Sequence, residues 1–232
     1  MSTDILQAAK NTVRQLHAEF DAANDSDLAA VLAQHTTPDY HWRGMCPFYE
    51  QSGTDAAVET FWLPLRHSLT SLQRREDVFM AGRNDVDGGE TVWVASMGHM
   101  MGLFDNDWID IPATRRMAFL RYAEFHRVED GKVAESAFFC DVVSMMEQAG
   151  HYPLPPQTGA AFLHPGPRTR DGILLEPHEA SQGRKTMALV NQMISDLSKL
   201  NVGSTHYCPP ESVPLIRFHA TSNSTSIRSA GI

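Results

Sequence analysis

With 232 residues, 42% of them hydrophobic and 20% charged, the chain has the composition of one well-buried soluble domain with room for a partial second unit. A net charge of -9 and a pI of about 5.6 argue against nucleic acid as a partner, because phosphate binding needs a basic surface. No apolar run approaches the ~20 residues that span a bilayer, so no membrane partner is expected.

In chain order, the start MSTDILQAAKNTVRQLHAEF enters an amphipathic helix without a signal-peptide core, which makes the cytoplasm the expected location. That helix is predicted over Thr3 to Asn24, with Ile5, Ala9, Val13, Leu16 and Phe20 spaced for one buried stripe. Asp25-Ser26-Asp27 caps a second helix through Ala33. A strand over Asp39 to Gly44 precedes a breaker-rich loop, Cys46-Pro47-Phe48-Tyr49. Thr54-Asp55 opens a third helix, reaching about Leu69, which Pro64 should bend or interrupt. Strands follow over Leu72 to Ala81 and Thr91 to Phe104, separated by a turn at Asn84 to Gly89. The stretch Asn106 to Thr114, with Ile111-Pro112, reads as a loop at the mouth of a pocket.

The stretch Ala118 to Gly150 carries the strongest chemical signal. Leu120, Tyr122, Glu124, His126 and Val128 alternate onto one strand face, and Glu129-Asp130-Gly131-Lys132 supplies a turn. On the return strand, Val133, Glu135, Ala137, Phe139 and Asp141 share a face. If Val128 and Val133 pair on the core side, then Glu124, His126, Glu135 and Asp141 all point inward. Four ionisable groups there exceed what packing needs, since a buried charge must be paired or line a cavity. The alternatives are an internal salt-bridge network and a one-residue slip that puts half of them in solvent. The apolar neighbours of Asp141 (Phe138, Phe139, Cys140, Val142 and Val143) favour a proton-transfer role for it.

This hairpin with its RVEDGKVAE turn, aromatic strand, Asp141 and short helical close at Gln148-Ala149-Gly150 resembles the C-terminal signature of SnoaL-like polyketide cyclases. Those belong to the cone-shaped superfamily of nuclear transport factor 2 and ketosteroid isomerase. The preceding order of helices, the strand bearing Tyr40-His41-Trp42-Arg43-Gly44, and the long strands agree over roughly residues 4 to 152. The resemblance implies an α+β, cystatin-like cone with a curved, mainly antiparallel sheet around N-terminal helices. It also implies Asp141 as acid/base, with His126 at the place of the nearby histidine. Where the family usually carries a tryptophan after the turn, this chain has Ala137 and Phe138, which alters the pocket.

Other lining candidates come from strand faces. Trp93, Met97, His99 and Met101 alternate onto one side, suited to a flat apolar ligand or to a methionine-rich core. Trp42 is preferred over His41 as an inward residue. The expected substrate-binding set is Trp42, Trp93, His99, Tyr122, Glu124, Glu135 and Phe139. Ala95-Ser96-Met97-Gly98-His99 lacks the first glycine of a nucleophile elbow, and no dinucleotide or phosphate loop occurs. Eleven histidines form no compact ligand motif and Glu124-x-His126 is only a weak hint, so neither metal nor cofactor is expected. Cys46, Cys140 and Cys208 are too widely spaced to indicate a disulfide framework or a thiolate zinc site.

After Gly150, six prolines between Pro153 and Pro177 mark a linker or wrapping arm. A helix is predicted over His178 to Leu200, either the first helix of a truncated second cone or a helix packed on the first cone or on a dimer partner. The tail Val202 to Ile232 shows no strand periodicity. Two functions follow. One is a cofactor-free acid/base enzyme of cyclase or aldol type acting on an apolar carbonyl or polyketide-like substrate, with a dehydratase or isomerase as sibling. The other is a small-molecule-binding or dimerisation module, favoured if Glu135 or Glu124 is paired to Arg121 or Arg43, which would leave no free acid in the pocket. The stripe Met187, Val190, Met193, Ile194 and Leu197 makes a homodimer the expected assembly.

Overall fold

The computed structural model describes residues 2–155, 166–177 and 180–200, in two compact units divided after His178. The expected tail from Val202 onward and part of the proline-rich linker lie outside the described residues, as does the question of a second cone.

Helix α1, Ser2–Ala22, buries Ala9, Val13, Leu16 and Phe20 as its periodicity requires, while Ile5 in the first turn is exposed. A 3-10 turn at Asp25–Asp27 leads into α2, Leu28–His35, which buries Leu28 and Leu32. Strand β1 then runs Thr36–Gly44, three residues earlier than predicted, with its pairing to β6 irregular between Thr36 and His41. Pro38 lies in that irregular stretch, where a missing N–H costs no ladder bond.

Glu50–Ser52, between the expected loop and the third helix, forms a short β2 that pairs antiparallel with β1. The third helical region is continuous but changes pitch: α3, Thr54–Ala57, a π-helical turn, Val58–Trp62, and α4, Leu63–Ser68. Pro64 sits in the first turn of α4, and the widened turn absorbs it, so the chain is re-aimed rather than broken.

Four long strands follow: β3, Leu69–Arg83; β4, Val92–Phe104; β5, Met117–Glu129; and β6, Lys132–Cys140. The sheet order is β2-β1-β6-β5-β4-β3, with β1 and β6 parallel and every other pair antiparallel. Two bulges set which side chains face the helices. In β3, Glu76 opposes Gly98 and Val78 opposes Met97, leaving Asp77 as the extra residue. The inward parity therefore switches from Arg74 and Glu76 to Phe79. Gly98 is required by this bulge, since a Cβ there would stand 2.0 Å from the Arg75 carbonyl oxygen. In β6, Arg127 pairs with Glu135 but Val128 pairs with Val133, so Ala134 is the extra residue.

The interior is dominated by aromatic rings. Phe61, on the π-helical turn, lies 4.7 to 5.3 Å from Trp42, Phe48, Trp62 and Phe138. The loop predicted to sit over a pocket mouth instead fills the core: Trp108 and Ile111 exchange backbone hydrogen bonds at 3.0 and 2.8 Å, and both are buried.

The segment 166–177 docks on the free edge of β3, with Phe79 N donating to Gly172 O at 2.9 Å and Leu174 N to Phe79 O at 2.7 Å. Buried Lys10 on α1 holds it, its Nζ donating to the carbonyls of Leu174, Leu175 and Glu176 at 2.9 to 3.0 Å. This arm covers an edge that would otherwise offer unpaired backbone groups. In the other unit, α6, Ala180–Leu200, leaves Met187, Met193, Ile194 and Leu197 about half exposed.

Candidate functional site

The inner face of β5 presents Tyr122, Glu124 and His126, all buried as their alternation predicted. Arg74 and Glu76 reach them from β3, Ser96 from β4, Ser136 from β6 and His17 from α1. The result is one connected polar centre. Arg74 Nη1 donates to Glu124 Oε2 at 2.8 Å and its Nε to Asp21 Oδ2 at 3.0 Å. His17 Nδ1 lies 3.2 Å from Glu76 Oε1, and His126 Nδ1 lies 2.8 Å from Ser136 Oγ. Ser96 Oγ donates to Glu76 Oε1 at 3.1 Å and contacts Tyr122 Oη at 3.0 Å. Between them, His17 Nε2 and His126 Nε2 stand 3.2 Å apart, with Glu124 oxygens 3.4 and 3.5 Å from the two rings.

Desolvation alone would raise the Glu124 carboxyl. The attraction of His126 and Arg74, with hydrogen bonds from His126 and His17, outweighs it and holds Glu124 well below the ordinary glutamate value. Burial is also the largest influence on His17 and repulsion by Arg74 adds to it, yet its contacts with Glu124 and Glu76 leave it raised. Burial dominates for His126, which is lowered despite Glu124 beside it. Burial also pushes the Tyr122 phenol up to about 12. The Arg74 guanidinium lies 5.7 Å from the Trp62 ring centroid and 5.4 Å from that of Tyr122, so it is held by aromatic faces as well as by carboxylates.

A hollow of about 10 Å³ touches His17, Tyr40, Arg74, Glu124, His126 and Ser136. A cleft of about 300 Å³ lies on the other side of Phe20, Trp62 and Arg74, with Leu69 and Met100 as further walls. A second cleft, of about 430 Å³, is bounded by Tyr40, Thr36, Ser52, Asp55 and Lys132 and meets the centre only through Tyr40.

The remaining expected site residues lie elsewhere. The bulge at Ala134 inverts the parity assumed beyond the Val128–Val133 pair, so Ser136, Phe138 and Cys140 face inward. Glu135 is turned to the outer face, where Arg43 Nε donates to it at 2.6 Å and Arg127 Nε at 3.3 Å. Phe139 is 51% exposed and stacks edge-on with Phe125. Trp93 and His99 share one side of β4 as expected, but Val94, Ser96, Gly98 and Met100 are the buried set. Trp93 Nε1 donates to Thr91 Oγ1 at 2.9 Å, and His99 Nδ1 lies 3.1 Å from Asp77 Oδ2. Trp42 is fully buried among Phe61 and Phe138, inward as preferred, but within the aromatic core.

Asp141 follows the end of β6 and caps α5, Val142–Gln148, accepting from Ser144 N at 2.9 Å. Replacing Asp141 with Ala should cost about 0.5–2 kcal/mol through loss of this cap, whereas Asn should cost little. Paired thermal unfolding of the two variants checks this, and equal losses would contradict the capping role.

His17, Arg74 and Glu76 escaped the sequence reading. The only signals were a histidine beside the apolar stripe of α1 and an Arg-Arg-Glu-Asp run inside a strand, a costly place for four charges unless some are paired inward.

No family model and no curated protein matches the chain. Among solved structures, similarity is found to a protein from Jannaschia sp. CCS1 named for the SnoaL-like polyketide cyclases. It is 20% identical over 65% of this chain and 94% of that one, with a TM-score of 0.49. IdmH from Streptomyces antibioticus, named for the polyketide cyclases, is 18% identical over 60% and 96%, with a TM-score of 0.48. An NTF2-like protein from Burkholderia thailandensis E264 is 21% identical over 59% and 95%, with a TM-score of 0.40. With TM-scores below 0.5, these likenesses carry no argument about this chain. By its own strand order and register, residues 2–155 form an α+β cone, a curved mixed sheet wrapped around N-terminal helices, as the resemblance implied.

Proposed function

We propose that the chain is a small-molecule enzyme of the cone fold, performing acid/base chemistry on an apolar carbonyl compound at the His17–Glu124–His126–Arg74 centre. The observation that carries the reading is the burial of two histidines, a glutamate and an arginine in one contact network whose Arg74 also lines a cleft of mixed polar and apolar walls. Arg74 faces both the cleft and Glu124. A substrate oxygen arriving in the cleft competes for its guanidinium, and Arg74 moving toward that oxygen releases Glu124. His126 then accepts the α-proton while electrons pass to the carbonyl oxygen, whose charge Arg74 carries. Asp141 is left out of this scheme, as its side chain is engaged at the helix cap.

The test is α-proton exchange of a flat bicyclic ketone such as tetralone in deuterated water, followed by NMR. The full chain should accelerate exchange, and His126→Gln should slow it by roughly 100-fold or more. A second reading, a binding module without catalysis, is favoured by the pairing of Glu135 with Arg43 and Arg127, of Glu124 with Arg74, and by the small hollow beside His126. Binding of tetralone, seen as tryptophan quenching, without exchange would select it.

We also propose a homodimer formed through α6. Met187, Val190, Ile194 and Leu197 recur at spacings of three and four, and all are at least 36% exposed. In light scattering the full chain should have twice the monomer mass and Ile194→Glu the monomer mass. A monomeric full chain would refute this.

A further inference from the structure

The His17–Glu124–His126 trio offers three ligand atoms whose spacing is unusual for hydrogen-bonded groups. A charge-assisted N–H···O contact is about 2.7–2.9 Å long. The two histidine–Glu124 contacts are 3.4 and 3.5 Å, and the two ring nitrogens are 3.2 Å apart. Ligands held about 2.0–2.1 Å from a metal ion at tetrahedral angles stand roughly 3.3 Å from one another. The nitrogen–nitrogen separation and the contact of each nitrogen with one Glu124 oxygen, Oε2 for His17 and Oε1 for His126, are close to that value.

Three further features point the same way. Each imidazole turns its Nε2 toward the centre and engages its Nδ1 behind, His17 with Glu76 and His126 with Ser136. That arrangement fixes ring orientation and tautomer as outer partners do in histidine metal sites. The hollow of about 10 Å³ touches all three ligands and has the scale of one ion or one water, far below that of a substrate. Glu124 lines it and Glu76 stands behind His17, two carboxylates beside the guanidinium of Arg74, which Asp21 also engages from its far side.

We propose that His17 Nε2, His126 Nε2 and a Glu124 oxygen form a binding site for a divalent first-row metal ion of the zinc type, with Glu76 and Ser136 as orienting partners. Two nitrogens and one oxygen suit zinc, cobalt or ferrous iron better than calcium or magnesium. The site keeps open coordination positions toward the hollow. The proposal names the cofactor class this same centre takes and rests on that reading to that extent; with the ion on Nε2 and Ser136 on Nδ1, His126 is a ligand, and its role as base belongs to the ion-free chain.

The test is metal titration of the full-length chain after dialysis against a chelator, with no substrate present. Zn2+ should bind at one ion per chain in calorimetry. Co2+ should give the intense visible bands of four- or five-coordinate nitrogen–oxygen ligation. His17→Gln and His126→Gln should abolish that spectrum. Glu76→Gln, which leaves every ligand in place, should weaken Zn2+ binding about 10–100-fold. The site is overturned if no ion binds, if Co2+ gives only the pale spectrum of the hydrated ion, or if Glu76→Gln and His126→Gln bind as well as the parent. The Co2+ spectrum of the parent chain decides the matter even if a variant fails to fold. With exchange measured on the chelator-dialysed chain, exchange of tetralone protons without ion binding in the titration overturns this site alone, and ion binding without exchange overturns the enzyme reading alone.

Discussion

Replacing Arg74 with Met should destabilise the chain by about 3–5 kcal/mol, because it leaves Glu124 as an uncompensated buried charge. Both side chains of the pair are about 5% exposed and their contact is 2.8 Å, so solvent screens little of the loss. The guanidinium also bonds Asp21 and lies over Trp62 and Tyr122, so its removal loosens the junction of α1, β3 and β5 at once. The pair itself need not be net stabilising. The double variant Arg74→Met with Glu124→Leu should recover most of the loss, as expected when charge burial rather than packing is the cause. Denaturant unfolding of the two variants and the parent measures this. A single variant within 1 kcal/mol of the parent would show that Glu124 finds solvent or another partner.

Replacing Phe61 with Ala should cost about 3–5 kcal/mol for a different reason. Phe61 is fully buried and its ring meets those of Trp42, Phe48, Trp62, Trp108 and Phe138. Truncation leaves a cavity between the π-helical turn and the sheet that rigid rings cannot collapse to fill. The same variant should admit a small aromatic such as benzene, whose addition should raise its melting temperature but not the parent's. A loss below 1 kcal/mol would mean that the neighbouring rings repack freely.

Much of the fold was legible because it rests on local periodicity. The stripe on α1, the alternation of Leu120 to His126, and the turn at Asp130 and Gly131 each predicted the element found. Even the Val128–Val133 pair formed as expected. What alternation cannot carry is an extra residue. The bulge at Ala134 reverses every side chain beyond it, and that one residue separates the expected inward Glu135 and Phe139 from the observed inward Ser136 and Phe138. The bulge at Asp77 likewise hides which of Arg74, Arg75, Glu76 and Asp77 point inward. The site was half legible. Glu124 and His126 announced themselves as charges on a core face, whereas His17 and Arg74 join them only through the packing of α1 and β3, a contact between elements far apart in sequence.

The centre of this account is that chemistry belongs to Glu124 and His126 rather than to Asp141. Tetralone α-proton exchange measured side by side in His126→Gln and Asp141→Asn tests it most directly. The account predicts a loss of roughly 100-fold or more in His126→Gln and a rate within a few-fold of the parent in Asp141→Asn, whose cap the amide preserves. A silent Asp141→Asn beside an active His126→Gln would contradict it.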